Sequence, residues 1–317
     1  MASPSIGMAH FSDDGIMEGR IIRLIEERGP LTGAELHATL EVDGIVLWQT
    51  CKRSSRLLVR SVGTHYLRLD RRLERLVRLS PSIWREFLTY SVIGLRSAPE
   101  AVGDRSEQVR RHIEEVSRAK VDLVYRIASG LGMSLESEYQ SVWRYCFIIA
   151  GDIVYNMAHD VPRPERSTGR LVQGSDMDLV VIVEDGCPAE VCRRIDAAIF
   201  EEKSRLLMTP HLREEIDYVV KDLSKVREQM HFDDFKRMVA CKILHEGAFL
   251  YGDEGVFQTV KALLRSEGVL EKLLNMERSA RIFRRQAEEM LLSGDPDAIR
   301  RENLSSFYPA EESEEFE

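Results

Sequence analysis

"GSDMDLVVIVED", residues 174–185, sets two aspartates two positions apart at the mouth of an apolar run. The β-branched stretch that follows them reads as a buried strand. Side chains alternate between the two faces of a strand, so Asp176 and Asp178 project together, roughly 7 Å apart along the chain. Met177 and Leu179 point the other way, toward the core. Charge at such a place is costly unless something neutralises it.

A second strand supplies a third acid. "EEIDYVVKD", residues 214–222, alternates with period 2, putting Glu215, Asp217 and Val219 on one face and Ile216, Tyr218 and Val220 on the other. If the two strands are neighbours, Asp217 meets the aspartate pair. Three carboxylates in one corner repel one another unless a cation joins them. An all-oxygen, highly charged donor set favours Mg²⁺ or Mn²⁺. Two such ions about 4 Å apart suit in-line transfer at phosphorus. Upstream, "WRYCFIIAGD" (143–152) is a short apolar run ending in Gly151. Between the acidic strands, "PAEVCRRIDAAIFEEKSRLL" (188–207) reads as a helix with Pro188 suited to its first turn.

On these pieces the chain resembles the DNA polymerase β-like nucleotidyltransferase superfamily. That family has a strand ending in Gly-Ser, a helix, a strand bearing Asp-x-Asp, and a third acid on a later strand. The matching segments here are "FIIAGD", "GSDMDLVVIV" and "EIDYVVKD", and the Ser-Asp-x-Asp-Leu form at 175–179 is like the family's small stand-alone members. "CKILHEGAFLYGDE" (241–254) is similar to a segment such members carry after the core. The resemblance covers about residues 140–255. It implies that Asp176 and Asp178 hold the metals that bind the nucleotide's phosphates. Asp217 would complete the site and help deprotonate the acceptor hydroxyl. Gly151 would let the backbone approach the triphosphate, with Asp152 and Ser175 as candidates beside the nucleotide. Apart from the resemblance, Lys221 could reach phosphates, or be an ordinary surface lysine. Two features depart from the pattern. Asp152 stands where the family has serine. The interval from Gly151 to Asp176 is also long, and its "HDVPRPERSTGRLVQ" carries Arg163, Arg166 and Arg170. Those arginines could close over phosphates or an acceptor, or form a mobile polar loop.

The N-terminal part reads differently. Residues 1–15 are expected to be disordered. "MEGRIIRLIEERGP", "LTGAELHATL" with Thr32 as N-cap, and "DGIVLWQTCKRS" read as three short helices. Two β-like runs around Val62-Gly63-Thr64 then give a hairpin signal. Three helices and a hairpin make a helix-turn-helix with a β-wing, here assigned to 16–79. From 49 to 78, nine basic residues face two acids, Asp70 and Glu74, a net +7 on a chain whose overall charge is −9. Lys52, Arg53, Arg56 and Arg60 fall where such modules meet phosphates and grooves, which points to DNA or RNA. The plainer alternative is an interaction module with solvated arginines.

Residues 80–135 read as a helical connector. "SPSIWREFLTYSVIGL" (80–95) is expected to be one helix, "RSAPEAVGDRS" a linker, and about 105–130 a long helix. The nucleotidyltransferase core is assigned to 136–225, a helical C-terminal region to 226–300 and a solvated acidic tail to 301–317.

Composition sets the outer limits. With 317 residues, 44% hydrophobic and 31% charged, the chain has room for more than one core. Five cysteines without a C-x-x-C pair argue against a disulfide framework or a zinc ribbon. No apolar run approaches the roughly 20 residues that span a bilayer, and the N-terminus lacks a signal-peptide layout. A cytoplasmic protein with no membrane partner is expected, and a homodimer is compatible with the reading.

The expected fold class is therefore α+β, with a small mixed sheet flanked by helices, an N-terminal winged helix-turn-helix and a helical C-terminal region. The expected activity is metal-dependent transfer of a nucleotidyl group from an NTP to a protein, an RNA end or a small molecule. The alternative is a winged-helix transcriptional regulator whose transferase-like domain is degenerate and senses a ligand.

Overall fold

The computed structural model describes residues 10–73, 75–139, 143–165 and 167–309. The chain is mixed α and β, and it divides into two compact units. The first comprises residues 1–66, 79–112 and 281–317, and the second residues 67–78 and 113–280.

The first unit opens with α1 (His10–Arg28), β1 (Leu31–Thr32), α2 (Gly33–Leu40) and α3 (Gly44–Arg53). Helix α1 begins at His10, inside the stretch expected to lack structure; residues 1–9 lie outside the described residues. Thr32 caps α2 as its sequence suggested. Its hydroxyl accepts from Glu35 N (3.2 Å), and the Glu35 carboxylate accepts from Thr32 N (2.7 Å), a reciprocal capping box. Asp43 caps α3 by accepting from Val46 N (3.0 Å), without a reciprocal bond.

The expected hairpin at Val62-Gly63-Thr64 does not form. Strand β2 (Leu57–Ser61) pairs instead with β5 (Ser91–Leu95), while β3 (Tyr66–Leu69) pairs with β4 (Val77–Ser80). The antiparallel sheet runs β1-β5-β2, with β5 in the middle. Residues 80–95 are consequently not one helix. After Ser82 caps the short α4 (Ile83–Thr89), the chain turns at Tyr90 and enters β5. The β-branched Val92 and Ile93, fully buried, suit the centre of a sheet better than a fourth helical turn.

The expected linker is also absent. Helix α5 (Pro99–Tyr139) starts at Pro99, whose fixed φ suits a first turn, and its stretch up to His112 counts with the first unit. Residues 83–95 are thus helix α4 and strand β5 of the first unit, not connector. The core joins Ile21, Leu36, Leu47, Trp48, Trp84, Phe87 and Ile93.

The second unit carries the region of interest. Its four-stranded sheet has the order β10-β9-β6-β11, built from β6 (Tyr145–Ala150), β9 (Met177–Val183), β10 (Ile216–Asp222) and β11 (Ala248–Gly252). Strands β9 and β10 are parallel; β6 is antiparallel to β9, and β11 to β6. Between β6 and β9 lie a 3₁₀ turn (Asp152–Tyr155) and a small ribbon, β7 (Arg163–Pro164) with β8 (Leu171–Val172). Helix α6 (Ala189–Met208) returns the chain from β9 to β10, as a parallel pair requires. Phe147, Ile149, Leu179 and Val181 face α5 and α6. Cys146, Ile148, Val180 and Ile182 point oppositely and are buried too. The elements α7 (Leu223–Gln229), α8 (Phe235–Glu246) and α9 (Glu254–Ser266) pack on that side. Strand β11 was not anticipated in a segment read as helical.

Helix α10 (Val269–Ser293) contributes to both units, its last part to the first. Then follow α11 (Pro296–Ala298), a π turn (Ile299–Asn303) and α12 (Leu304–Phe307). The tail was expected to begin at residue 301, yet Phe307 is 1% exposed, with ring centroids 5.7 Å from Trp48 and 5.2 Å from Trp84. Residues 310–317 lie outside the described residues. No helix of the described residues is long and apolar enough to cross a membrane.

Candidate active site

Strand register builds the site. In the parallel ladder Asp217 is the direct partner of Asp178, and in the antiparallel ladder Asp178 is the partner of Ala150. One row across three strands therefore leads from the end of β6 to both acids. Asp176, two residues before Asp178, projects to the same side. One oxygen from each of Asp176, Asp178 and Asp217 lies within 4.8 Å of the others. Along β9, Asp178 is the single position that is not buried.

Two glycines shape the corner. Gly151 has φ of 81°, and a Cβ there would lie 2.3 Å from Asp178 Oδ2. The Asp178 carboxylate thus packs against bare backbone, which only glycine offers. Gly174 has φ of 63°, and a Cβ there would sit 1.8 Å from the His159 carbonyl oxygen. That close approach lets Ser175 N donate to His159 O (2.9 Å) and swings the chain into Asp176.

Asp178 carries the electrostatic burden. Burial pushes its carboxyl well above the usual range, and Asp176, Asp152, Glu246 and Asp217 push it further. The outlying acids have counter-ions. Lys203 Nζ, from α6, is 3.0 Å from Asp217 Oδ1. Arg163 lies 3.7 Å from Asp176 and 2.9 Å from Glu215. Lys242 is 2.6 Å from Glu246.

Asp152 faces inward. Its carboxylate accepts a hydrogen bond from the Ser175 hydroxyl. The residue as a whole is half-buried, yet the surroundings of the carboxyl push it up to about 7. Burial is the largest cause and Asp176 adds to it, while Ser175, Lys120 and Arg68 pull the other way. Ser175 is itself buried, and its hydroxyl also accepts the His159 N–H (3.0 Å). Its hydroxyl is thus engaged inside the protein, between Asp152 and the His159 backbone.

Lys221 is on the acid-bearing strand but not at the cluster. It pairs with Ile182, four residues beyond Asp217, about 13 Å along the strand. Its ammonium donates to Gln229 Oε1 (2.7 Å), and burial lowers it to about 8. Sequence reasoning missed Lys203, whose only signal was a lysine in the helix preceding the third acid. It also passed over Glu246. That carboxylate, in the "HEG" at the end of α8, accepts from Tyr155 OH (3.0 Å) and from Gly151 N (3.4 Å).

Of the basic residues assigned to nucleic acid, Lys52, Arg53, Arg56 and Arg60 are all exposed, at the end of α3 and on and before β2. Arg53 is already engaged: its Nε donates to the Leu292 carbonyl (2.8 Å) near the end of α10. Arg166 lies outside the described residues.

The donor set fits a hard divalent cation: three carboxylates converge, all ligand atoms are oxygen, and the central one has its charge opposed from every side. In comparisons of the sequence, no protein-family model and no curated protein matches the chain.

Proposed function

We propose that this chain is a metal-dependent nucleotidyltransferase, moving a nucleotidyl group from an NTP to an acceptor hydroxyl. The observation that carries the reading is the row Ala150–Asp178–Asp217, with Asp176 beside it and Gly151 against the Asp178 carboxylate. Asp176, Asp178 and Asp217 would hold Mg²⁺ or Mn²⁺, which when bound would neutralise phosphate charge and polarise the reacting phosphorus. Gly151 leaves backbone bare at the edge of the carboxylates, where a triphosphate can approach. Asp217, with 55% of its side chain exposed against 38% for Asp176, is the acid an acceptor reaches most readily. It takes the acceptor proton as the new P–O bond forms and pyrophosphate leaves with the electrons of the broken bond. The test is transfer of label from each α-labelled NTP with Mg²⁺ or Mn²⁺, comparing the parent chain with Asp178→Ala. Absence of metal-dependent NTP turnover with protein, RNA and small-molecule acceptors would sink this reading.

A second reading has its own observation. The first unit runs helix, short strand, helix, helix, strand and returning strand, with the sheet order β1-β5-β2. That order supports a winged helix whose two wing strands are β2 and β5. Lys52, Arg56 and Arg60 are exposed at the end of α3 and along β2, where phosphate contacts fall in such modules. On this reading the chain is a DNA-binding regulator, and Asp152 marks the second unit as a ligand sensor. Duplex binding that falls steeply with salt, and is lost in Arg56→Ala with Arg60→Ala, would favour it.

A further inference from the structure

We propose that Arg163 is a positioning residue that fixes the spacing of the carboxylate strands. Its guanidinium meets the chain just ahead of the acids on both of them. Nε donates to the carbonyl of Gly174 (2.8 Å), two residues before Asp176. A terminal nitrogen is 2.9 Å from the carboxylate of Glu215, two residues before Asp217. The same nitrogen stands 3.7 Å from Asp176 Oδ1. Between those points Met177 N donates to the Glu215 carbonyl (2.9 Å), the first backbone bond of the β9–β10 ladder. Arg163 therefore closes the end of the ladder from which Asp176, Asp178 and Asp217 arise.

The support for this arginine is built, not loose. Arg163 begins β7, paired with Val172 of β8. The turn between those strands is organised by Glu165, 3% exposed, which accepts from Ser167 N (2.9 Å) and Thr168 N (2.8 Å). The arginine side chain is 12% exposed. The long interval between Gly151 and Asp176 thus delivers a staple to the carboxylates. Glu215 answers it from the other strand: burial pushes its carboxyl above the usual range, and Arg163 is the group that pulls it back.

The inference rests on the metal-dependent reading, and the experiment separates the two. Arg163→Met alone strands a buried carboxylate and can unfold the unit. The double variant Arg163→Met with Glu215→Gln removes both charges, leaves the net charge unchanged and keeps the fold testable by its melting curve. Mn²⁺ affinity is then measured by calorimetric titration in both proteins. Loss of a group that orients metal ligands typically weakens metal binding about 10- to 100-fold, and a fall of about tenfold is expected here, with kcat falling more than the KM for NTP rises. A folded double variant that binds Mn²⁺ as tightly as the parent overturns the inference and leaves the metal site standing. A parent chain that takes no Mn²⁺ overturns the metal-dependent reading and this inference together.

Discussion

Asp217 lies directly across the β10–β9 ladder from Asp178, and Ala150 completes the row on β6. This register concentrates like charge on Asp178, whose carboxyl is held up by burial and by four neighbouring acids. Asp178→Asn keeps the shape and removes the charge. Without metal the variant should melt a few degrees above the parent, since about 1 kcal/mol moves the midpoint by roughly 2–4 °C in a domain of this size. Added Mn²⁺ should raise the melting temperature of the parent and leave the variant's unchanged. NTP turnover should fall on the order of 10²-fold or more. A variant that keeps both the Mn²⁺ response and turnover would place the metal elsewhere.

Asp152 tests whether an additional acid beside the carboxylate cluster costs activity. Its carboxylate is tied to Ser175 and feels Asp176. Asp152→Asn preserves an acceptor for the Ser175 hydroxyl while removing one negative charge from the corner where phosphates would lie. The KM for NTP should fall several-fold, about 1 kcal/mol of relieved repulsion at short range through a polar medium. Steady-state kinetics on the two proteins checks it. A KM that rises instead would make Asp152 a contributor to binding.

The carboxylate row was legible because strand alternation is local: Asp176, Asp178 and Asp217 can be assigned to faces from their own neighbours alone. The third-acid strand lying next to the Asp-x-Asp strand was a conditional inference that the register satisfies. Lys221 lies four residues beyond Asp217 on the same strand, and alternation is silent on distance along a strand. Ser175 and Asp152 meet across 23 positions, and Arg163 meets Glu215 across 52, so no window of sequence contains either pair. Strands β5 and β11 are five residues each and directly follow helices, where short apolar runs cannot be told from a continuing helix. The hairpin signal at Gly63 was real local chemistry, overridden when β5 took the place beside β2.

In the first unit Glu86 makes stability depend on acid. Burial alone would raise its carboxyl, but the hydrogen bond from His65 (2.9 Å) and the Arg284 guanidinium outweigh burial and bring it down to about 2. A carboxylate with a lowered folded pKa stabilises the fold above its unfolded value, near 4.5, and that contribution is lost as pH falls from there toward 2. The shift is worth roughly 3 kcal/mol. Denaturant unfolding of the parent should therefore weaken steeply between those limits, and Glu86→Gln should flatten the dependence while lowering stability at pH 7. Parallel pH profiles for parent and variant would refute this.

The return of the chain to the first unit gives the last prediction. Phe307 is buried between Trp48 of α3 and Trp84 of α4, with Tyr308 against it at 6.0 Å. Nearby contacts follow the same path: Gln49 donates to the carbonyls of Leu291 (2.6 Å) and Gly294 (2.9 Å), and Arg300 pairs with Asp43 at the start of α3 (2.9 Å). The C-terminal segment is thus a wall of the core that holds α3, the helix whose end carries Lys52. Phe307→Ala should cost about 3–5 kcal/mol by lost burial and the cavity left behind. A chain ending at residue 303 should be less stable than one ending at Pro309 by at least as much. Unfolding followed by tryptophan emission distinguishes them, because Trp48 and Trp84 line the same cavity. Equal stability for the chains ending at 303 and 309 would mean that α12 does not hold the core.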